Sequence, residues 1–398
     1  MISCISLGDA SNSSQYNELR WYVDVLDGKK INPDSGAKDD PVPGPHNDYQ
    51  DEYKAAGLDK TINWYQTLGN HDHFWMGSYF VNDYLRQAYI GEKMLDMGDI
   101  FNDPKGIDSR GIYSGAIDGR TPYGDVIGAG LVGDFETSPK VLAADPNRRP
   151  LSRKEWMSEF FTTNSNPVGH GFTQTNLDKD FASYSFEPKS DIPIKVIVLD
   201  DTQKEEDFDV HVHGSLDKER YDWLVNELDK GQAEGKLMII AAHVPLPLIG
   251  MFSTSPTTIH TDKLIAKLHT YPNLLMWASG HRHRNVITAL KSPDANHPEL
   301  GFWEVETSSL KDFPQQFRTF DIVRNSDQTV SILTTDVDPA VKAGTPAAIS
   351  RDYAVAALQI FKYKVDPLPT GSYNAELVKQ LSPDMQTKMQ NYGTPIRK

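Results

Sequence analysis

Four apolar runs in this chain each end in residues that can bind a cation. The run from Met1 to Leu7 closes on Gly8-Asp9, and the run from Ile62 to Leu68 closes on Gly69-Asn70-His71-Asp72. A third, Leu237 to Ala242, closes on His243, and a fourth, ending at Ser279, closes on Gly280-His281-Arg282-His283. Open α/β sheets place their sites beyond the ends of their strands, so this pattern points to such a sheet and to a site at one edge of it.

The donors are of mixed type. Asp9 offers a carboxylate that can bridge two cations, Asn70 a neutral amide oxygen, and His243, His281 and His283 imidazole nitrogens. A mixed N/O set suits Zn, Fe, Mn, Ni or Co more than Ca or Mg. His281 and His283 are two apart, so they share a face on a strand or serve adjacent metals across a strand-to-loop turn. Each motif alone has a plainer reading: a Gly-Asp turn, an Asn-His turn with an aspartate cap, an exposed polar loop, a hydrogen-bonded core histidine. Their joint occurrence at four strand ends is hard to reach by chance.

The strands expected are the runs ending at Leu7, Leu68, Leu199, Ala242 and Ser279, then 301–307, 317–324 and 328–335. Ile194 to Leu199 and Leu237 to Ala241 are the clearest, being continuous and rich in β-branched residues. Helices are expected at Gln15 to Leu26, Lys218 to Leu228 and Thr261 to Leu268. Strand–helix alternation followed by a run of strands predicts an α/β sandwich with mixed sheets. Residues 27–58 and 95–190, rich in Gly, Pro and Asp or Asn, read as loop insertions able to wall a cleft, with one helical patch near Lys154–Phe161. The division expected is a domain over 1–335 and a C-terminal helical extension over 336–398 packed on it, with helices near 350–362 and 374–390.

The 398 residues carry 40 basic and 55 acidic side chains, a net charge of −15. That opposes nonspecific binding to nucleic acid or an anionic membrane, and an anionic substrate would need a local attractor such as bound metal. No apolar stretch approaches the length of a transmembrane helix. The single cysteine, Cys4, excludes an intramolecular disulfide and a thiolate cluster, and its apolar neighbours predict a buried, inert thiol. The first residues read as a strand rather than a signal peptide, which implies an earlier segment.

In its motifs the chain resembles the calcineurin-like metallophosphoesterases, whose signature runs Asp-x-His, Gly-Asp, Gly-Asn-His-Asp/Glu, a strand-end His and Gly-His-x-His. The last four stand here as Gly8-Asp9, Gly69 to Asp72, His243 and Gly280 to His283. The resemblance frames most of residues 2–325; Asn12 to Glu18 and Ser308 to Gln315 look like a less characterised bacterial branch. It implies a four-layer α-β-β-α sandwich with two mixed sheets and long loop insertions. It also implies two divalent or trivalent metals, and hydrolysis of a phosphoric monoester or diester by a hydroxide bridging them. Asp9 would bridge the metals, Asn70, His243 and His281 would complete one site, and His283 would belong to the other. His71 would contact the phosphate or protonate the leaving oxygen, and Asp72 would orient it. Arg282 would add charge at the phosphate or sit on the surface.

The departure is the missing Asp-x-His. The Asp209-Val210-His211 triplet lies in a charged segment and, with His213, reads as a solvated loop. The expectation is therefore a truncated start, a full ligand set for one metal only, and a weakly active chain acting on a small phosphorylated substrate. Two alternatives stand beside it. One is a non-catalytic, metal-stabilised binding protein of the same fold. The other is an enzyme acting on nucleic acid, for which Arg148, Arg149, Arg153 and Lys154 are the only hint. Oligomeric state is open, and a secreted, periplasmic or cytoplasmic location fits equally.

Overall fold

The computed structural model describes residues 3–35, 52–91, 96–97, 112–116, 125–130, 144–205, 212–251, 253, 255–360 and 374–396. In chain order the elements are β1 (Ser3–Ser6), α1 (Tyr16–Leu26), β2 (Lys30–Ile31), β3 (Tyr53–Lys54), β4 (Asn63–Gln66), α2 (Asp83–Ile90), β5 (Asp96–Met97), β6 (Ile112–Ala116) and β7 (Asp125–Gly130). Next come α3 (Arg153–Glu159), α4 (Gln174–Lys179), β8 (Tyr184–Phe186), β9 (Ile194–Leu199), α5 (Lys218–Ala233), β10 (Leu237–Ala242), α6 (Thr261–Leu268) and β11 (Leu274–Ser279). The last are β12 (Val286–Leu290), β13 (Phe302–Glu306), β14 (Phe317–Arg324), β15 (Val330–Val337), α7 (Pro346–Ile360), β16 (Ala375–Lys379) and α8 (Pro383–Met389). The chain is a mixed α/β protein with several sheets. Among the described residues no helix is long and apolar enough to cross a membrane.

Contacts divide the chain into two units. One holds Met1–Asp9, Ile62–Asn70 and His170–Lys398, the other Ala10–Thr61 and His71–Gly169. In the first, six strands form a sheet in the order β12-β13-β11-β10-β9-β8. Its centre, β9, β10, β11 and β13, is parallel, and β8 and β12 run antiparallel at the edges. Strands β10 and β11 are buried at every position, as a parallel strand covered on both faces must be, which is why their sequences are unbroken apolar runs. Ile197, Leu224, Leu228, Ile240, Leu264 and Trp277 belong to the core cluster beside this sheet.

The parallel register aligns the strand ends. Ala242 lies opposite Leu199 and Ala241 opposite Ala278, so His243, His281 and the pair Asp200-Asp201 emerge along one edge. In the same unit β1 and β4 pair in parallel, Ser6 opposite Gln66, which brings Gly8-Asp9 and Gly69-Asn70 out side by side. Two smaller sheets have three strands each, β14-β15-β16 and β5-β6-β7, and β2 pairs with β3.

Three expectations need correction. The stretch 95–190 holds more than one helical patch: besides α3 it contains α4 and β8, and β8 joins the main sheet. The tail is not helical throughout, because 375–379 is a strand paired with β15. Leu377, Leu381, Met385 and Met389 are all buried at a spacing of four, which imitates one helix. In fact Leu377 is buried by the alternation of a strand, and Pro383 opens a new helix behind the cap of Ser382. Cys4 is exposed rather than buried, since β1 pairs only with β4 among the described residues and Cys4 faces outward. The Asp209-Val210-His211 triplet lies outside the described residues.

Candidate metal centre

Asp9, Asn70, His243 and His281 come together in the first unit. The Nε2 atom of His243 lies 2.9 Å from Asn70 Oδ1, 3.1 Å from His281 Nδ1 and 3.2 Å from Asp9 Oδ2. His281 Nδ1 is 3.2 Å from Asn70 Oδ1. Asp9, His243 and His281 offer ligand atoms that all lie within 4.8 Å of one another.

The other ring nitrogens decide what this cluster is. His243 Nδ1 lies 2.6 Å from the Leu7 carbonyl and His281 Nε2 lies 3.0 Å from the Val212 carbonyl. A carbonyl only accepts, so each of these nitrogens carries the hydrogen. In the neutral rings His243 Nε2 and His281 Nδ1 are then bare acceptors, and they face each other together with two further acceptor oxygens. Four inward lone pairs repel unless a proton or a metal cation lies between them. Tethering of the outer nitrogen to a carbonyl is how metal-binding histidines are commonly oriented. Burial is the largest single influence and opposes charge on His243, but Asp9, the Leu7 carbonyl and Asp201 together overcome it, and the pKa rises to about 9. A site that draws a proton so strongly onto His243 draws a metal cation for the same electrostatic reason. The set of two imidazoles, one carboxylate and one amide oxygen fits a borderline transition metal.

The backbone is bent to make the cluster. Within it Asp9 has φ +57° and His281 +71°, both in the left-handed region, and His283 outside it has +55°. Such residues cost about 1–3 kcal/mol each and persist where the surroundings fix them, typically at functional sites. Gly8 and Gly69 serve close approach. A Cβ on Gly8 would sit 2.5 Å from His243 Nδ1, and one on Gly69 would sit 2.2 Å from Asp9 Oδ1.

Two buried carboxylates set the height of His243. Asp201, beyond β9, accepts the backbone N–H of His243 at 3.2 Å and that of Val244 at 3.1 Å. Glu304 on β13 accepts the Leu246 N–H at 2.8 Å. Burial pushes the pKa of each up to about 7. Neither was singled out by sequence. The signal for Asp201 was present, a fifth apolar run closing on Asp200-Asp201; Glu304 lies inside a strand and gave none.

His283 is not part of the four-donor group. Its Nδ1 is 2.5 Å from Asp312 Oδ2, so Nε2 is the ring nitrogen that could take a metal. Arg282 is held in a fork by buried Glu306, with Nε 3.0 and 3.1 Å from the two carboxylate oxygens. Its charge is thus neutralised at the end of β13, and this position favours a structural role over a contact to phosphate.

His71 and Asp72 belong to the second unit. His71 Nδ1 lies 2.7 Å from the Asn12 carbonyl. Asp72 is fully buried, and its Oδ1 accepts the Ser11 N–H at 3.0 Å and the Ser11 hydroxyl at 3.2 Å. The bonds that orient the His71 ring therefore run through the Ser11–Asn12 turn, and Asp72 anchors that turn. Two of the basic residues considered for nucleic acid, Arg148 and Arg149, are engaged within this unit. Arg148 donates to the carbonyls of Tyr89 and Gly91, and Arg149 lies over the Tyr16 ring at 3.8 Å.

No protein-family model and no curated protein matches the chain. Among solved structures, a dimetal phosphatase from Danio rerio is similar at 13% sequence identity with a TM-score of 0.30. The match covers 41% of this chain and 60% of that one, so the chain spans about three fifths of its length.

Proposed function

We propose that this chain is a metal-dependent hydrolase of phosphoric esters, built on the four-layer sandwich of the calcineurin-like metallophosphoesterases and acting on a small phosphorylated substrate. The observation that carries the reading is the convergence of Asp9, Asn70, His243 and His281 with both imidazoles tethered outward. A bound divalent cation supplies Lewis-acid stabilisation of phosphoryl charge and activation of water. In a chain of net charge −15 it is also the local attractor for an anion.

The residues divide the work. Asp9, Asn70, His243 and His281 hold the first cation. Asp9 and His283, the latter oriented by Asp312, contribute to a second. His71 follows Asn70 in the chain and donates a proton from Nε2 to the leaving oxygen, which by itself is worth roughly 10²–10⁴ in rate.

The test is metal content paired with hydrolysis of a chromogenic phosphate monoester and diester in the presence of manganese. The proposal expects hydrolysis that a chelator abolishes and metal restores, with His243→Ala losing both bound metal and activity. Metal bound through these residues without hydrolysis of either ester would instead identify a metal-stabilised binding protein.

A further inference from the structure

The turn that receives His71 is held more firmly than a surface loop requires. The backbone N–H groups of Asn12 and Ser13 both donate to one oxygen of Glu18, Oε2, at 3.0 and 2.9 Å. Asp72 holds Ser11 from the other side. The Ser14 N–H donates to the His71 carbonyl at 2.9 Å, and the Ser14 carbonyl accepts from Leu151 at 2.8 Å. Ser14 has φ +58°, so the turn is bent to close on these partners. Glu18 stands in the first turn of α1; burial pushes its pKa up, opposed by the N–H donors of Ser13 and Asn12, and fully buried Leu19 and Val23 fix that helix in its unit.

We infer that Glu18 is a positioning residue: by gripping the Asn12–Ser13 backbone it aims the Asn12 carbonyl at His71 Nδ1 and locks His71 as the Nδ1–H tautomer. The neutral histidine side chain free in water favours the hydrogen on Nε2, so the turn imposes the less common form. The consequence is chemical. Neutral His71 keeps Nε2 as its basic nitrogen, and the proton gained there is the one it gives up, while Nδ1–H stays with Asn12. The bond from Nδ1 to the Asn12 carbonyl need not break during a cycle. The inference rests on the reading of His71 as proton donor for its role, but not for its geometry.

Histidine-labelled ¹⁵N NMR of the full chain, with the His71 signal assigned by its loss in His71→Ala, reads the tautomer directly. The expected result is the Nδ1–H form in the unsubstituted chain and in Glu18→Gln, whose amide oxygen can take the place of Oε2. Glu18→Ala should lose the preference for Nδ1–H, and its kcat should fall about 10-fold with KM unchanged, the low end of the loss when an outer partner of a functional histidine is removed. An Nε2–H tautomer in the unsubstituted chain, or an unchanged tautomer in folded Glu18→Ala, would overturn it. The unsubstituted chain and Glu18→Gln decide the matter even if Glu18→Ala does not fold. An Nδ1–H tautomer in a chain that hydrolyses no phosphate ester would leave the positioning intact and remove the phosphoesterase reading.

Discussion

The four-donor cluster and the His71 turn both hold imidazole rings still, and they do so by opposite means. At the cluster the rings are fixed by backbone carbonyls, that of Leu7 just beyond β1 and that of Val212 in the segment between β9 and α5, while Asp9 and His281 take left-handed conformations. At His71 the ring is fixed from a hydroxyl-rich turn, itself held by the side chains of Glu18 and Asp72. The first arrangement is rigid because the sheet is, and it suits ligands that must not move. The second depends on two carboxylates and suits a group that takes up and releases a proton. Damage to one should therefore leave the other standing.

The largest effect that separates them is on turnover. His71→Ala should lower kcat roughly 10²–10⁴-fold, the worth of a general acid, while metal content measured by elemental analysis stays near that of the unsubstituted chain. Equal loss of metal would show that the two regions are not separable. Asp201→Asn should act on the other side of the comparison. It places an amide N–H₂ against the Val244 N–H, loosens the segment that carries His243, and should weaken metal binding roughly 10–100-fold, the usual cost of losing an outer partner. Calorimetric titration with zinc checks this, and the His71 tautomer should be unchanged.

The smallest effect is on stability. Glu304 has its pKa raised to about 7 by burial. Between its ordinary value of 4.5 and about 7 the unfolded chain releases this proton while the folded chain keeps it, so the group's contribution to stability falls as pH rises through that window. Glu304→Gln keeps a carbonyl for Leu246 and removes the ionisation. Thermal melts from pH 4.5 to 8 should show a flatter profile, with a Tm a few degrees higher at pH 8, at about 2–4 °C per kcal/mol. A profile parallel to that of the unsubstituted chain would contradict the assignment.

The same contrast explains what could be read before the fold was seen. Strands β9, β10 and β11 were legible because burial on both faces forces continuous apolar runs, and α6 was legible to the residue, Thr261–Leu268. The donors at their ends were legible because a polar residue closing such a run stands out. Strand β8 was hidden by its length of three residues, and β16 by a spacing of apolar residues that imitates a helix. Glu18 was unreadable for a different reason. In the sequence it is an acidic residue in the first turn of a helix, where acidic residues are ordinary, and only the folded turn shows what its Oε2 holds.

The central claim is that Asp9, Asn70, His243 and His281 enclose one cation. X-ray absorption spectroscopy on the chain loaded with one equivalent of zinc tests it most directly. The account predicts a first shell of two imidazole nitrogens with oxygen donors, and loss of one imidazole contribution in His243→Ala. A shell without imidazole, or one unchanged in that variant, would contradict it.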